Sequence, residues 1–207
     1  MQSSDGLLAQ PALVINQKMK LFELRNEFAI LDGNGERIGA VTQVNQSFLT
    51  KLLRIFSDAD VTLPVTLEVT DAAGTPVLNI HKPWFRITAQ VSRPDGQPIG
   101  EVSKKIRVGK ARFAMRDAAG IEVGSVIAEN WRAKDFRIED RNGMEVARIS
   151  KKWRGLAREL FTDADTYAVE LPPALTDPLR SLAAATALAI DTIMKQKDYM
   201  SPTDAIG

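Results

Sequence analysis

The chain has no cysteine, which excludes disulfides, thiolate metal sites, cysteine nucleophiles and S-palmitoylation. It has one histidine, His81, with no nucleophile or metal partner at a readable spacing. A histidine must be positioned by partners to act, so catalysis is not expected there. Aromatic residues are sparse, and Trp84 and Trp131 have no aromatic ladder around them. Binding of single-stranded nucleic acid therefore has no platform. An excess of one charge is also missing: the formal net charge is +1, too little to draw the whole molecule to nucleic acid or to an anionic membrane. Walker, Rossmann, Gly-x-Ser-x-Gly and zinc patterns are absent, so an enzyme is not expected. Residues Met1–Gln10 lack the basic and long apolar regions of a signal peptide, and the expected compartment is the cytoplasm.

What is present is repetition. Five stretches alternate apolar residues into a turn and out again, with Gly three places after an Asp in four of them: Asp32–Gly35, Asp71–Gly74, Asp117–Gly120 and Asp140–Gly143. The fifth keeps Gly96 but carries Arg93 in the Asp position. Pairs such as Leu67/Val69 and Phe136/Ile138 lead into the turns, and Val77/Ile80 and Val146/Ile149 lead out. Period-two alternation broken by an Asp/Asn/Gly turn predicts a β-hairpin. Five hairpins make about ten strands of an antiparallel protein, and Ala12–Ile15, Leu21–Leu24 and Tyr167–Leu171 read as further strands.

Two short segments break the alternation. Ser47–Phe56 and Trp153–Phe161 each read as a peripheral amphipathic helix, with Lys51 and Arg54, or Arg154 and Arg158, opposite the apolar side. Each precedes a matching string, Phe56–Ser57–Asp58–Ala59–Asp60 and Phe161–Thr162–Asp163–Ala164–Asp165, which points to an internal duplication. The last helix is expected over about 176–196, capped by Thr176 with Asp177 and Pro178 in its first turn. From Ser181 to Ile190 it is apolar or small on every face, yet this run is half of the ~20 residues a bilayer crossing needs. A slim helix of this kind is read as enclosed by strands, a barrel with a plug. Residues 1–10 and 198–207 read as loose ends of a single domain spanning 11–197.

The string Asp163–Ala164–Asp165–Thr166–Tyr167–Ala168–Val169–Glu170–Leu171–Pro172, then a short link and a helix holding Ile190–Asp191, resembles the phospholipid scramblase family. Asn26–Glu27–Phe28–Ala29–Ile30–Leu31–Asp32, Lys82–Pro83–Trp84–Phe85 and Pro98–Ile99–Gly100–Glu101–Val102 carry the same likeness. With the plant LURP-one-related proteins, that family shares the tubby-like C-terminal fold. The resemblance covers about residues 12–196 and implies an antiparallel barrel of about twelve strands around the C-terminal hydrophobic helix. It also implies a calcium loop starting at Asp163 and a membrane-anchoring role for the helix that follows. Counted as an EF-type loop, position 5 is Tyr167, position 6 Ala168 and position 12 Ala174, which leaves Asp163, Asp165 and Glu170 as carboxylate donors. Read from the residues alone, the aspartates cap a turn between helix and strand, as Asp58 and Asp60 do in the matching string. Calcium is the one cofactor in view.

The expected function is peripheral binding to an anionic phospholipid surface, with a part in transbilayer lipid movement. The alternative is a soluble LURP-one-like interaction module with protein partners. Two basic runs carry the lipid reading: Lys151, Lys152, Arg154 and Arg158 around Trp153, and Lys104, Lys105, Arg107, Lys110 and Arg112. Either run also reads as an ordinary solvated face. Asp191 is expected inside the barrel, a structural acid anchored by strand-end amides or an arginine, because a buried carboxylate needs partners.

Overall fold

Each hairpin turn is closed by the same short-range bonds. In a computed structural model describing residues 5–16, 27–44, 64–83, 88–105, 112–130, 135–150 and 166–188, Asp32 Oδ1 accepts the amides of Asn34 (2.8 Å) and Glu36 (2.9 Å). Asp71, Asp117 and Asp140 accept the corresponding amides at 2.8–2.9 Å. The amide of the turn glycine donates to the Asp carbonyl, and each of these glycines has a φ between 80 and 89°, the left-handed region where a Cβ is strained. The Arg93 turn keeps the backbone bonds, and Asp95 takes over as acceptor for Gln97 N at 2.9 Å. One residue is bulged out of register after every turn, which strengthens the strand twist.

The hairpins are β2–β3 (Glu27–Leu31, Arg37–Val44), β4–β5 (Val65–Asp71, Pro76–Lys82), β6–β7 (Thr88–Ser92, Pro98–Lys105), β8–β9 (Arg112–Asp117, Glu122–Asn130) and β10–β11 (Asp135–Asp140, Glu145–Ser150). They pair in sequence order, and β1 (Ala12–Asn16) joins β2 to β12 (Thr166–Glu170), closing a twelve-stranded antiparallel barrel. This is the mainly β architecture expected from the repeats. Strand Leu21–Leu24, both amphipathic segments and the Phe56–Asp60 and Phe161–Asp165 strings lie outside the described residues. β1 is buried on both faces: Leu13 and Ile15 point into the lumen, while Val14 packs with Ala29, Leu31 and Ala168 in a second cluster on the outer face.

The lumen holds helix α2 (Leu179–Leu188), in which every residue except Arg180 is buried. Its polar side chains are satisfied locally: Thr186 Oγ1 donates to Leu182 O (2.7 Å), and Ser181 Oγ donates to Asp177 Oδ1 (2.7 Å). Asp177 Oδ1 also accepts the Ser181 amide (3.1 Å), so the capping side chain is Asp177, while Thr176 contributes its carbonyl to Arg180 N. Tyr167, fully buried on β12, donates its hydroxyl to Ala187 O at 3.0 Å and ties the helix to the wall. The arginine that breaks the turn pattern has its reason here. Arg93 Nη2 lies 3.6 Å from Asp177 Oδ2, where an aspartate would repel the helix cap.

Residues 5–8, expected to be loose, form a helical turn, α1 (Asp5–Leu8), because Leu7 has a place to bury at the turn end of the barrel. Arg180 fastens it: Nε donates to Leu8 O (2.6 Å), Nη2 to Gln10 O (2.8 Å) and Nη1 to Pro172 O (2.8 Å). Glycines make room for both helices. A Cβ on Gly39 would lie 2.6 Å from Leu7 Cδ1, and one on Gly124 would lie 2.8 Å from Leu179 Cδ1 and 2.5 Å from Glu139 O.

Two outcomes follow. Gly124→Ala is expected to cost about 1–3 kcal/mol through overpacking, whereas Gly6→Ala, with nothing within 4 Å of the new methyl, is neutral or stabilising; urea denaturation midpoints compare the two. The second concerns Asp140, whose pKa is lowered from 3.8, chiefly by the Met144 amide. A depressed folded pKa contributes stability that is full above the unfolded value and lost as pH falls through the folded one. The stability difference between wild type and Asp140→Asn should therefore be constant above about pH 5 and shrink below about pH 4, as read from denaturation midpoints across that range.

Candidate functional site

Of the second basic run, the described residues are Lys104 and Lys105 at the end of β7 and Arg112 at the start of β8. Strand alternation splits them. Lys104 is opposite Phe113, whose side chain is in the core, while Lys105 is opposite Arg112 on the outer face. The outward pair does not stand free in solvent. Lys105 Nζ lies 2.6 Å from Glu122 Oε1. Arg112 donates to Ser125 Oγ from Nε (3.1 Å) and Nη2 (2.8 Å), and Nη2 also reaches Glu139 Oε2 at 3.5 Å.

Glu139 is the centre of this cross-strand network. Only 8 % exposed, it is flanked by Arg112 and by Arg137, whose Nη2 lies 2.9 Å from Glu139 Oε1 and whose Nη1 lies 3.1 Å from Glu129 Oε1. A second link joins Arg116 to Glu101 Oε1 (3.1 Å) and Ser103 Oγ (2.7 Å). Arg148 bridges Asp135 (2.9 Å) and Glu145 (3.0 Å), and the hydrogen bond it donates to Asp135 is the largest cause of its raised pKa. On β7 to β11 the expected alternating exposed face is therefore a belt of ion pairs. Sequence reading missed these partners; the signal was opposite charges at outward positions of successive hairpin strands.

Arg107, Lys110, Lys151, Lys152, Trp153, Arg154 and Arg158 lie outside the described residues, as do Asp163, Asp165 and Asp191. Glu170 is exposed on β12, opposite Ala12 and Arg148. It stands four residues along the strand from Thr166, roughly 13 Å at ~3.3 Å per residue, beyond the reach of one shared calcium shell with a ligand at the strand's start. Among the described residues no group of three His, Asp or Glu is arranged to hold a metal. His81 Nδ1 meets Thr66 Oγ1 at 3.0 Å on the outer wall. It borders an open groove of roughly 510 Å³ that Gln90, Ser92, Pro98, Glu101 and Asp117 also line. Glu101 is already engaged by Arg116, and Asp117 Oδ1 by its own turn. Among the described residues no helix is long and apolar enough to cross a membrane.

The belt has a measurable weight. Glu139→Leu removes the carboxylate shared by two guanidiniums that are each a third exposed, and should cost about 1–2 kcal/mol, less than a fully buried pair. A double-mutant cycle with Arg112→Met checks it; a coupling near zero would show that the contacts carry no energy.

Comparison with known proteins places this architecture. The family model described as Scramblase matches residues 2–196. Human phospholipid scramblase 2 is 24% identical over 201 residues, which cover 86% of this chain and 65% of that protein. Human phospholipid scramblase 1 is 23% identical over 203 residues, covering 90% and 62%. Altered inheritance rate of mitochondria protein 25 of Saccharomyces cerevisiae is 23% identical over 194 residues, covering 79% and 59%. The chain thus spans about three fifths to two thirds of the length of these relatives. An X-ray structure of an Arabidopsis thaliana protein matches with a TM-score of 0.53 at 14% identity, over 90% of this chain and 91% of that one. That likeness bears on the fold alone. The family match runs through every strand of the barrel and its enclosed helix: the chain belongs to the scramblase family.

Proposed function

We propose that this chain binds phospholipid at a membrane surface as a peripheral protein, and that any part it has in moving lipid between leaflets begins from that contact. The observation that carries the reading is the family match over residues 2–196, with relatives named phospholipid scramblase. The filled lumen supports a contact from outside the barrel. Ala183, Ala184, Ala185 and Ala187 are wholly buried against the wall, so no lipid chain threads between helix and strands. Attraction to an anionic bilayer would then come from Lys151, Lys152, Arg154 and Arg158 and from Lys104, at ~1 kcal/mol for each basic residue near the surface.

A second reading, a soluble module that works through protein partners, is favoured by one observation: Lys105 and Arg112 are already engaged by Glu122 and Glu139. Flotation with liposomes, with and without anionic lipid and with calcium or chelator, separates the two. Binding that requires anionic lipid and falls at least tenfold on charge reversal at Lys151, Lys152, Arg154 and Arg158 is the expected result; for four residues at ~1 kcal/mol each, tenfold is a conservative threshold. A calcium requirement would bring in Asp163 and Asp165. No flotation under any condition would favour the protein-partner module.

A further inference from the structure

In each of the five hairpin turns the residue after the turn glycine has one task, and its backbone performs it. The carbonyls of Glu36, Thr75, Gln97, Ile121 and Met144 each accept the amide of the residue that opens the turn, at 2.8–2.9 Å. The side chains at this position are all exposed. The turn therefore tolerates any residue there, and a polar one is the ordinary occupant. Three turns have it. The β8–β9 and β10–β11 turns carry Ile121 and Met144 instead, 59% and 63% exposed, the two large apolar side chains that stand in solvent among the described residues.

One exposed apolar residue is ordinary, but these two belong together. β9 pairs with β10, so the hairpins are neighbours, and the same turn position recurs two strands along the rim, roughly 10 Å away at ~4.8 Å per strand. Their surroundings carry no free acid. Ala118, Ala119 and Gly120 precede Ile121, and Arg141, Asn142 and Gly143 precede Met144, all exposed. The acids that flank the two tips are engaged: Asp117 and Asp140 by turn amides, Glu122 by Lys105 and Glu145 by Arg148. Glu36 and Asp95, by contrast, put a carboxylate into two of the other turns. Arg141 is exposed and pairs with no described residue.

We infer that Ile121 and Met144 form a lipid contact: the tips of β8–β9 and β10–β11 enter the headgroup–acyl boundary of a bilayer, and Arg141, between them along the rim, meets a lipid phosphate. This rests on the lipid-surface reading proposed above and names where the barrel touches. Two protruding side chains supply too little area for a protein interface of standard size, ~800 Å² on each partner. Attachment to a bilayer has no such threshold, because it grows with each apolar side chain that leaves water. β11 begins one residue after Met144 and ends one residue before Lys151, and its six residues span roughly 20 Å. A barrel lying along β11 thus offers its apolar tips and the start of the basic run to one surface.

Ile121→Ser and Met144→Ser leave the backbone bonds of the turns untouched, and the absence of cysteine means that a single introduced thiol is the only one labelled. Flotation with vesicles of phosphatidylcholine and phosphatidylserine is measured for wild type, for both variants and for Gln97→Ser, the same position of the β6–β7 turn. An environment-sensitive fluorophore is attached at Ala119→Cys or at Ala73→Cys, on the β4–β5 hairpin that stands opposite β10–β11 in the ring of strands. Ile121→Ser and Met144→Ser are each expected to bind about tenfold more weakly, the order set by burying one such side chain, at an unchanged urea midpoint. Gln97→Ser is expected to float as wild type does, and the label to shift blue and resist an aqueous quencher at 119 but not at 73. Unchanged flotation of both serine variants, or equal shifts at 119 and 73, would overturn the tip contact and leave lipid binding standing. A shift at 119 without vesicles, with a doubled mass by light scattering, would assign the tips to a second copy of the chain and overturn it as well. Absence of flotation for wild type would overturn the lipid-surface reading and the tip contact with it.

Discussion

A closed sheet of twelve strands encloses a lumen wider than its own inward side chains can fill, since about eight strands is the size at which side chains suffice. Helix α2 occupies that space, and the rest of the molecule answers to its presence. Its small residues, Ala183, Ala184, Ala185 and Ala187, let the strands close around it without gaps. Tyr167 anchors its far end, Asp177 caps its start, and Arg93 faces that cap from a turn that gave up its aspartate to do so. Gly124 and Gly39 leave room for Leu179 and Leu7, and Arg180 ties the first residues of the domain to the helix.

Filling the lumen this way leaves the outer surface and the ends of the barrel for contact. Among the described residues, helix α2 fills the space inside the wall with its polar side chains bonded locally, and the outer faces of β7 to β11 carry cross-strand ion pairs. Pairs that are a third exposed contribute little each, but Glu139, Arg112 and Arg137 form a linked set on neighbouring strands, where coupling between contacts makes the belt more than its parts. What remains for recognition is the barrel's ends and the polar groove beside His81.

Much of the fold was legible in the residues because the bonds that build it are local. A turn Asp accepts amides two and four residues ahead, and an apolar residue reports its face through its neighbour two places away, so five hairpins could be read from strings of about ten residues. The enclosed helix was legible for the same reason: apolar character on every face within one short segment. The family likeness rested on strings such as Pro98–Val102, which are hairpin strands, and it extended the reading to the closure of the barrel. The loose N-terminus was misread because Leu7 acquires its place beside Gly39, which is distant in sequence; the cap was one residue off, since Asp177 and not Thr176 accepts the Ser181 amide.

By itself the sequence determined the repeated hairpins, the plug helix and the lack of thiol chemistry, each carried by contacts within a few residues or by composition, while the scramblase kinship came as a resemblance of particular strings. Only the tertiary structure decided that Lys105 and Arg112 are spent on Glu122 and Glu139, and that Arg180 holds carbonyls at Leu8 and Gln10. The physical reason is reach. Those partners are separated by 17 to 172 positions along the chain and meet only once strand register and closure have set which side chains share a face.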